Sequence, residues 1–190
     1  MEFVLGQQKL RPWTIADVPS LARYANNPNV SRTLRDVFPY PYTEADAERF
    51  IRRHHDENPV VSFAVASSLE SIGGIGIHLQ QDVHRRSAEI GYWLGEPFWN
   101  QGIMSRALST VTDYAFSAFD IMRMYALVFE GNEASCRVLE KAGYILEGRL
   151  RKSVTKDGIT IDSFMYAKIR DYLQSSVWLI IPDGDLNKSS

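Results

Sequence analysis

The stretch Ala88–Ala107 constrains this chain more than any other, because a β-favouring run, Ser87–Leu94, passes through a short loop straight into a long helix. Trp99, Asn100, Gln101 and Gly102 close the loop. Ile103, Ala107, Leu108, Val111, Ala115 and Phe116 then recur at helical intervals over Gly102–Phe119. The first-turn amides of such a helix have no intrahelical acceptor, and its dipole places partial positive charge there. Gly102 removes a Cβ where an anion would approach the backbone. On these residues alone the loop is either an anion site or an ordinary helix start that uses glycine.

The flanking sequence supplies the rest of an architecture. Lys9–Trp13 reads as a first strand, with Pro12 tolerable at a sheet edge. Val18, Leu21, Ala22 and Ala25 mark a helix that ends at Asn26–Asn29, and an irregular stretch follows over Val30–Tyr42. Thr43 caps a second helix, with Glu44 and Asp46 near its positive end. Val60–Ala66 and Ser71–Leu79 are strands. Gly73, Gly74 and Gly76 suggest close backbone packing and, inside a strand, make no nucleotide loop. After Gly102–Phe119, Ile121–Phe129 is a strand and Asn132–Ala142 a short helix stopped by Gly143. Tyr144–Thr155 and Ile159–Ile169 form a hairpin about Asp157-Gly158. The order β-α-α-β-β-β-α-β-α-β-β defines an α+β domain over residues 1–174, with 175–190 as a tail.

Composition narrows the function class. With 190 residues, 45% hydrophobic and 23% charged, the chain is an ordinary globular protein with room for one substantial core. A net charge of −2 provides no global attraction to nucleic acid or an anionic membrane, and no run approaches the ~20 apolar residues of a membrane span. Cys136 is the single cysteine, which rules out an intramolecular disulfide. Met1–Leu10 lacks the pattern of a secretory signal, so the expected setting is the cytoplasm. His54, His55, His78 and His84 lack metal-ligand spacing and read as solvated; no metal is expected.

The segment Ala88–Ala107, followed by Val128–Tyr144, resembles the GNAT acetyltransferase superfamily, in particular the branch containing the ribosomal-protein-alanine N-acetyltransferases. Three stretches carry the likeness in order: Ala88–Leu94, Trp99–Ala107 with Gly102, Met104 and Ser105, and Asn132–Tyr144 with Ser135, Leu139, Lys141 and Gly143. The resemblance implies the GNAT fold, a mixed sheet with a splayed strand pair flanked by helices, over about Leu10–Ile169. Trp99 and Met104 replace the superfamily's more usual outer loop residues, a feature common in this branch. Arg106 stands where the branch often has an acidic residue.

The same resemblance implies acetyl-CoA as co-substrate. Backbone amides of Gln101, Gly102, Ile103, Met104, Ser105 and Arg106 would hold its pyrophosphate. Tyr92, Trp93 and Leu94 would line the pantetheine arm, paired much as an added strand, although core packing explains Tyr92 and Trp93 equally well. Asn132 would touch the cofactor, cap its helix, or do both. Ser135 would hydrogen-bond the leaving thiolate, against a purely structural role early in a helix, and Cys136 beside it reads as buried and inert. Glu89 is the general-base candidate, or else it pairs with Arg85 or Arg86.

For the acceptor, the resemblance points to the first two helices and the final hairpin. Arg32, Arg35, Phe38 and Tyr40 are the exposed loop candidates. A protein N-terminal amine is the foremost expectation. A polyamine, aminoglycoside or amino acid is the alternative within enzymes, and a non-catalytic CoA-binding module the alternative outside them. A homodimer is compatible with all three.

Overall fold

Alternation along Ser87–Leu94 explains why this chain layers helices on both faces of a sheet. Ala88, Ile90 and Leu94 are buried on one face, whereas Glu89, Gly91 and Trp93 turn to the other. A computed structural model describes residues 1–170. Its strands are β1 (Phe3–Leu5), β2 (Gln8–Pro12), β3 (Ser62–Ala66), β4 (Ser71–Leu79), β5 (Ser87–Leu94), β6 (Arg123–Phe129), β7 (Ile145–Lys156) and β8 (Ile159–Ile169). Its helices are α1 (Val18–Ala25), α2 (Pro28–Ser31), α3 (Glu44–His54), α4 (Ile103–Ala118) and α5 (Glu133–Lys141). The strands form one eight-stranded sheet in the order β1-β2-β3-β4-β5-β6-β8-β7. The expected tail, 175–190, lies outside the described residues.

Two cores sandwich the sheet. The larger joins Ile75, Ile90 and Leu94 of the sheet to Ile103, Ala107, Leu108 and Val111 of α4 and Leu139 of α5. The smaller packs Leu21 and Ala25 of α1 and Ala47 and Ile51 of α3 on Trp13 and Ala64. Burying a side chain the size of Leu21 or Ile51 contributes about 1.5–3 kcal/mol, so both layers are held mainly by apolar area. The β4 glycines serve this packing. A Cβ at Gly74 would stand 2.9 Å from Trp13 Cζ2 and 2.9 Å from Trp93 Nε1, so only glycine lets the two indoles close over the strand.

Local chemistry sets the boundaries. Thr43 accepts a hydrogen bond from the Asp46 amide at 3.2 Å, and the Asp46 carboxylate accepts from Thr43 in return, a capping box that starts α3. Asp157 and Gly158 both have positive φ, as a two-residue hairpin turn requires. Two short elements differ from the sequence expectation. β1 precedes the expected first strand and pairs with it through Phe3↔Leu10, so β2 is not an edge, although Pro12 lies beyond the β1 pairing. The turn α2 occupies the start of the expected irregular stretch, begun by Asn27, whose side chain accepts from the Asn29 amide, and by Pro28 at its first position.

Candidate active site

Among the described residues only one pair of neighbouring strands is parallel, and it holds together briefly. β5 and β6 are in register at Ser87↔Arg123, Ala88↔Met124 and Glu89↔Tyr125, and then diverge. Beyond Glu89, β5 keeps its ladder with β4 through Gly73↔Leu94, while β6 keeps its ladder with β8 through Phe129↔Ser163. The alternate amides and carbonyls of Ile90–Leu94 that face β6 therefore have no strand partner. This is the splayed pair expected from the sequence, and its backbone groups suit an extended chain carrying amides.

Glu89 sits where the strands part. Its cross-strand neighbours on one face are His78 of β4 and Tyr125 of β6. Its side chain is 14% exposed and forms an ion pair with Arg35, which reaches in from the loop after α2. The expected alternative partners, Arg85 and Arg86, are engaged elsewhere. Arg85 donates to the Asp82 carbonyl at 3.2 Å, and Arg86 pairs with Asp120 at 2.8 Å. The sequence could not show this because Arg35 and Glu89 are 54 residues apart and belong to different layers. His78, read from sequence as merely solvated, keeps surface exposure but lies along Gly76 and Gly91. Loss of water lowers its pKa, while the nearby Glu89 charge opposes that shift.

On the opposite face, Tyr92 points toward α5. Its hydroxyl lies 2.8 Å from Ser135 Oγ and 3.4 Å from the Ser135 carbonyl oxygen, and burial pushes its pKa upward. Asn132 is the cap of α5, accepting the Ser135 amide at 3.2 Å, which fixes the backbone of the serine. Cys136 is half-buried against the larger core, not fully buried as expected. Trp93 turns to the smaller core, where its ring packs edge-on against Phe38 with centroids 5.7 Å apart. Leu94 is a core side chain, and its carbonyl accepts from Trp99 Nε1 at 2.7 Å. Contact of Trp93 or Leu94 with a bound arm would thus come from backbone.

The loop before α4 is shaped by left-handed backbone at Asn100 (φ 60) and Gly102 (φ 68). Arg106 is the first residue of the helix whose amide donates back, to the Gly102 carbonyl at 3.3 Å. Ile103, Met104 and Ser105 thus present the first-turn amides, and the Ile103 and Met104 side chains are buried in the core. Gln101 donates from Nε2 to the Pro97 carbonyl at 3.2 Å. Arg106 reaches back to the Gln101 carbonyl at 3.4 Å and across to Gln8 Oε1 at 3.3 Å. No local pattern foretells that the β1–β2 turn borders this loop.

Beside the smaller core, an open cavity of about 650 Å³ is lined by Arg32, Phe38 and Tyr40 together with Asp36, Lys156 and Asp157. Lys156, at the end of β7, donates to Asp36 at 2.7 Å and ties the hairpin to the α2–α3 loop. Three of the four expected acceptor residues share this cavity; Arg35 goes to Glu89 instead. Among the described residues no group of His, Cys, Asp and Glu could hold a metal, and no helix is long and apolar enough to cross a membrane.

A parallel strand pair that opens beside a helix N-terminus is the splayed pair that the sequence resemblance implies. The acetyltransferase (GNAT) domain model matches residues 9–145, and the chain belongs to that family. It is an acetyl-CoA-dependent N-acetyltransferase. It is 42% identical to the uncharacterised N-acetyltransferase YoaA of Bacillus subtilis over 101 residues, which is 53% of this chain and 56% of that relative. It is 27% identical to the putative ribosomal N-acetyltransferase YdaF of the same organism, over 88% of this chain and 81% of the relative. The spermidine N(1)-acetyltransferase of Escherichia coli is 27% identical over 75% of each chain. A RimL ribosomal L7/L12 α-N-protein acetyltransferase solved with coenzyme A superposes with TM-score 0.75 at 25% identity, covering 87% of this chain and 96% of that one.

Proposed function

We propose that this acetyltransferase modifies the α-amino group of a protein or peptide N-terminus. The observation that carries the reading is the Arg35–Glu89 pair, which compensates the one carboxylate at the strand vertex. A polyamine carries several positive charges at neutral pH and needs uncompensated carboxylates to hold them. The acceptor-side cavity instead presents Arg32 and Lys156 beside Asp36 and Asp157. An α-amine also asks least of the site. With a pKa of about 7.7–8.0 it costs only about 1 kcal/mol to deprotonate at pH 7, against about 4.6 kcal/mol for a lysine-like amine.

In this reading, Ile90–Leu94 backbone groups hold the pantetheine arm of acetyl-CoA, and the amides from Gln101 to Ser105 hold its pyrophosphate, the expected Arg106 amide being taken by the Gly102 carbonyl. Glu89 orients the incoming amine or accepts its proton, directly or through water. Ser135, fixed by the Asn132 cap, hydrogen-bonds the departing thiolate. The nitrogen–carbon bond forms as the carbon–sulfur bond breaks.

Thiol release from acetyl-CoA against peptides with free N-termini, the same peptides N-terminally blocked, polyamines, aminoglycosides and amino acids tests the reading. Turnover confined to free α-amines supports it. Faster turnover of a polyamine, in keeping with the spermidine relative, would replace it.

A further inference from the structure

Tyr92 of β5 and Ser135 of α5 are 43 residues apart, yet their hydroxyl oxygens are 2.8 Å from one another. A tyrosine hydroxyl has one proton to donate, and a half-buried one needs an acceptor. The described acceptors within its reach are both on Ser135, the hydroxyl at 2.8 Å and the carbonyl at 3.4 Å. If the serine donated to the tyrosine, the phenol proton would be left with the carbonyl, at a length where a hydrogen bond is weak. The better-satisfied arrangement has Tyr92 donating to Ser135 Oγ, with the serine's own proton free for another acceptor. The described hydrogen bonds give that serine hydroxyl no other partner, although a serine this early in a helix often bonds backward to a carbonyl.

We infer that Tyr92 is a positioning residue: its hydroxyl holds Ser135 Oγ so that the serine proton is aimed at the departing sulfur of coenzyme A. The inference rests on the thiolate role proposed for Ser135. Neither hydroxyl gives up its proton, since a serine is a far weaker acid than a thiol, and burial holds the Tyr92 phenol in its neutral form. The pair acts as two aligned dipoles, Tyr92 polarising the serine so that it donates more strongly to the negative sulfur. The electron pair of the carbon–sulfur bond stays on sulfur as that bond breaks. The thiolate is protonated afterwards by the proton the amine has released. A tyrosine that only filled space would not need its oxygen.

The test compares Tyr92→Phe, Ser135→Ala and the double variant by two readouts. One is kcat with a saturating acceptor. The other is the pKa of the coenzyme A thiol in the binary complex, titrated by thiolate absorbance, which needs no turnover. Tyr92→Phe is expected to lower kcat about 3- to 10-fold, the worth of one hydrogen bond, with KM for acetyl-CoA nearly unchanged, and to raise the bound thiol pKa. In the Ser135→Ala background the same change is expected to do nothing further. An effect of Tyr92→Phe that is absent, or that persists undiminished without the serine hydroxyl, overturns the inference while leaving Ser135 in place. Full turnover and an unshifted thiol in Ser135→Ala removes the thiolate role itself. If Tyr92→Phe does not fold, 3-fluorotyrosine at position 92, a stronger donor, must lower the bound thiol pKa; an unchanged or raised value refutes the donor assignment.

Discussion

Arg35 and Glu89 form an ion pair between a loop and a strand vertex, joining the α2–α3 loop to the point where β5 and β6 separate. The glutamate is largely enclosed and the arginine more than half exposed, so solvent screens the pair and its worth lies in charge placement more than in stability. Replacing Arg35 by alanine should therefore leave the melting temperature almost unchanged. Turnover of polyamines relative to peptide α-amines should rise by about 3- to 10-fold, because one uncompensated carboxylate is returned to the site. Competing-substrate thiol release measures the ratio.

Glu89→Gln keeps the shape and removes the base. With an α-amine acceptor the expected loss in kcat/KM is about 10-fold at pH 7, and with a lysine-like amine about 100-fold or more, since the second must be deprotonated against a larger gap. For α-amines the loss should fade as pH rises past 8, where the acceptor is neutral without help. A pH–rate profile on both acceptor types checks this. A loss that is independent of pH would assign Glu89 to orientation alone.

Gly102 adopts φ +68, and a Cβ there would meet Arg106 Nη1 at 3.2 Å. Gly102→Ala should cost about 1 kcal/mol of stability from the left-handed backbone, or about 2–4 °C in a domain of this size. It should also weaken acetyl-CoA binding by disturbing the amides that follow. Gly102→Asn should be milder, because asparagine tolerates that conformation. Calorimetry of acetyl-CoA binding, set beside thermal melts, separates the two effects.

Far from the site, Asp17 accepts two hydrogen bonds from Arg11, both 2.7 Å, and others from the Thr14 amide and hydroxyl. Burial opposes its charge, but these bonds outweigh burial and lower its pKa. A carboxylate whose folded pKa is depressed contributes stability above its unfolded value of 3.8 and loses it as pH falls through the lower folded value. Asp17→Asn is expected to cost about 3 kcal/mol at neutral pH, because Arg11 is left partly enclosed without its partner. Its acid unfolding arm below pH 4 should be shallower than that of the parent. Urea unfolding at pH 7 and pH 3 gives both numbers.

Much of this fold is written in local signals. Ser71–Leu79, Ser87–Leu94 and Ile159–Ile169 are strands to the residue expected, and α4 and α5 begin where Gly102 and Asn132 mark them. Those elements carry either strong periodicity or a cap, which act within a few residues. The three-residue β1 and the single turn of α2 are too short to show a period, and tertiary pairing decides them. The site divides along the same line. The loop before α4 and the Asn132 cap are legible because each is local backbone chemistry at a helix start. The Arg35–Glu89 and Tyr92–Ser135 pairs are not, since no local pattern records which distant layer a side chain will meet.

The divergence of β5 from β6 after Glu89 has a bearing on how such a chain tolerates change over time. Because the opening is made by main-chain direction, the backbone groups it leaves without a strand partner are the same whatever side chains stand nearby. Apart from Tyr92, residues along Ile90–Leu94 and Ala126–Phe129 then follow the demands of their own packing layers. Under the function proposed above, substitution in the α2–α3 loop and the hairpin would change which amine is chosen, while the backbone that would hold the acyl donor is inherited unchanged.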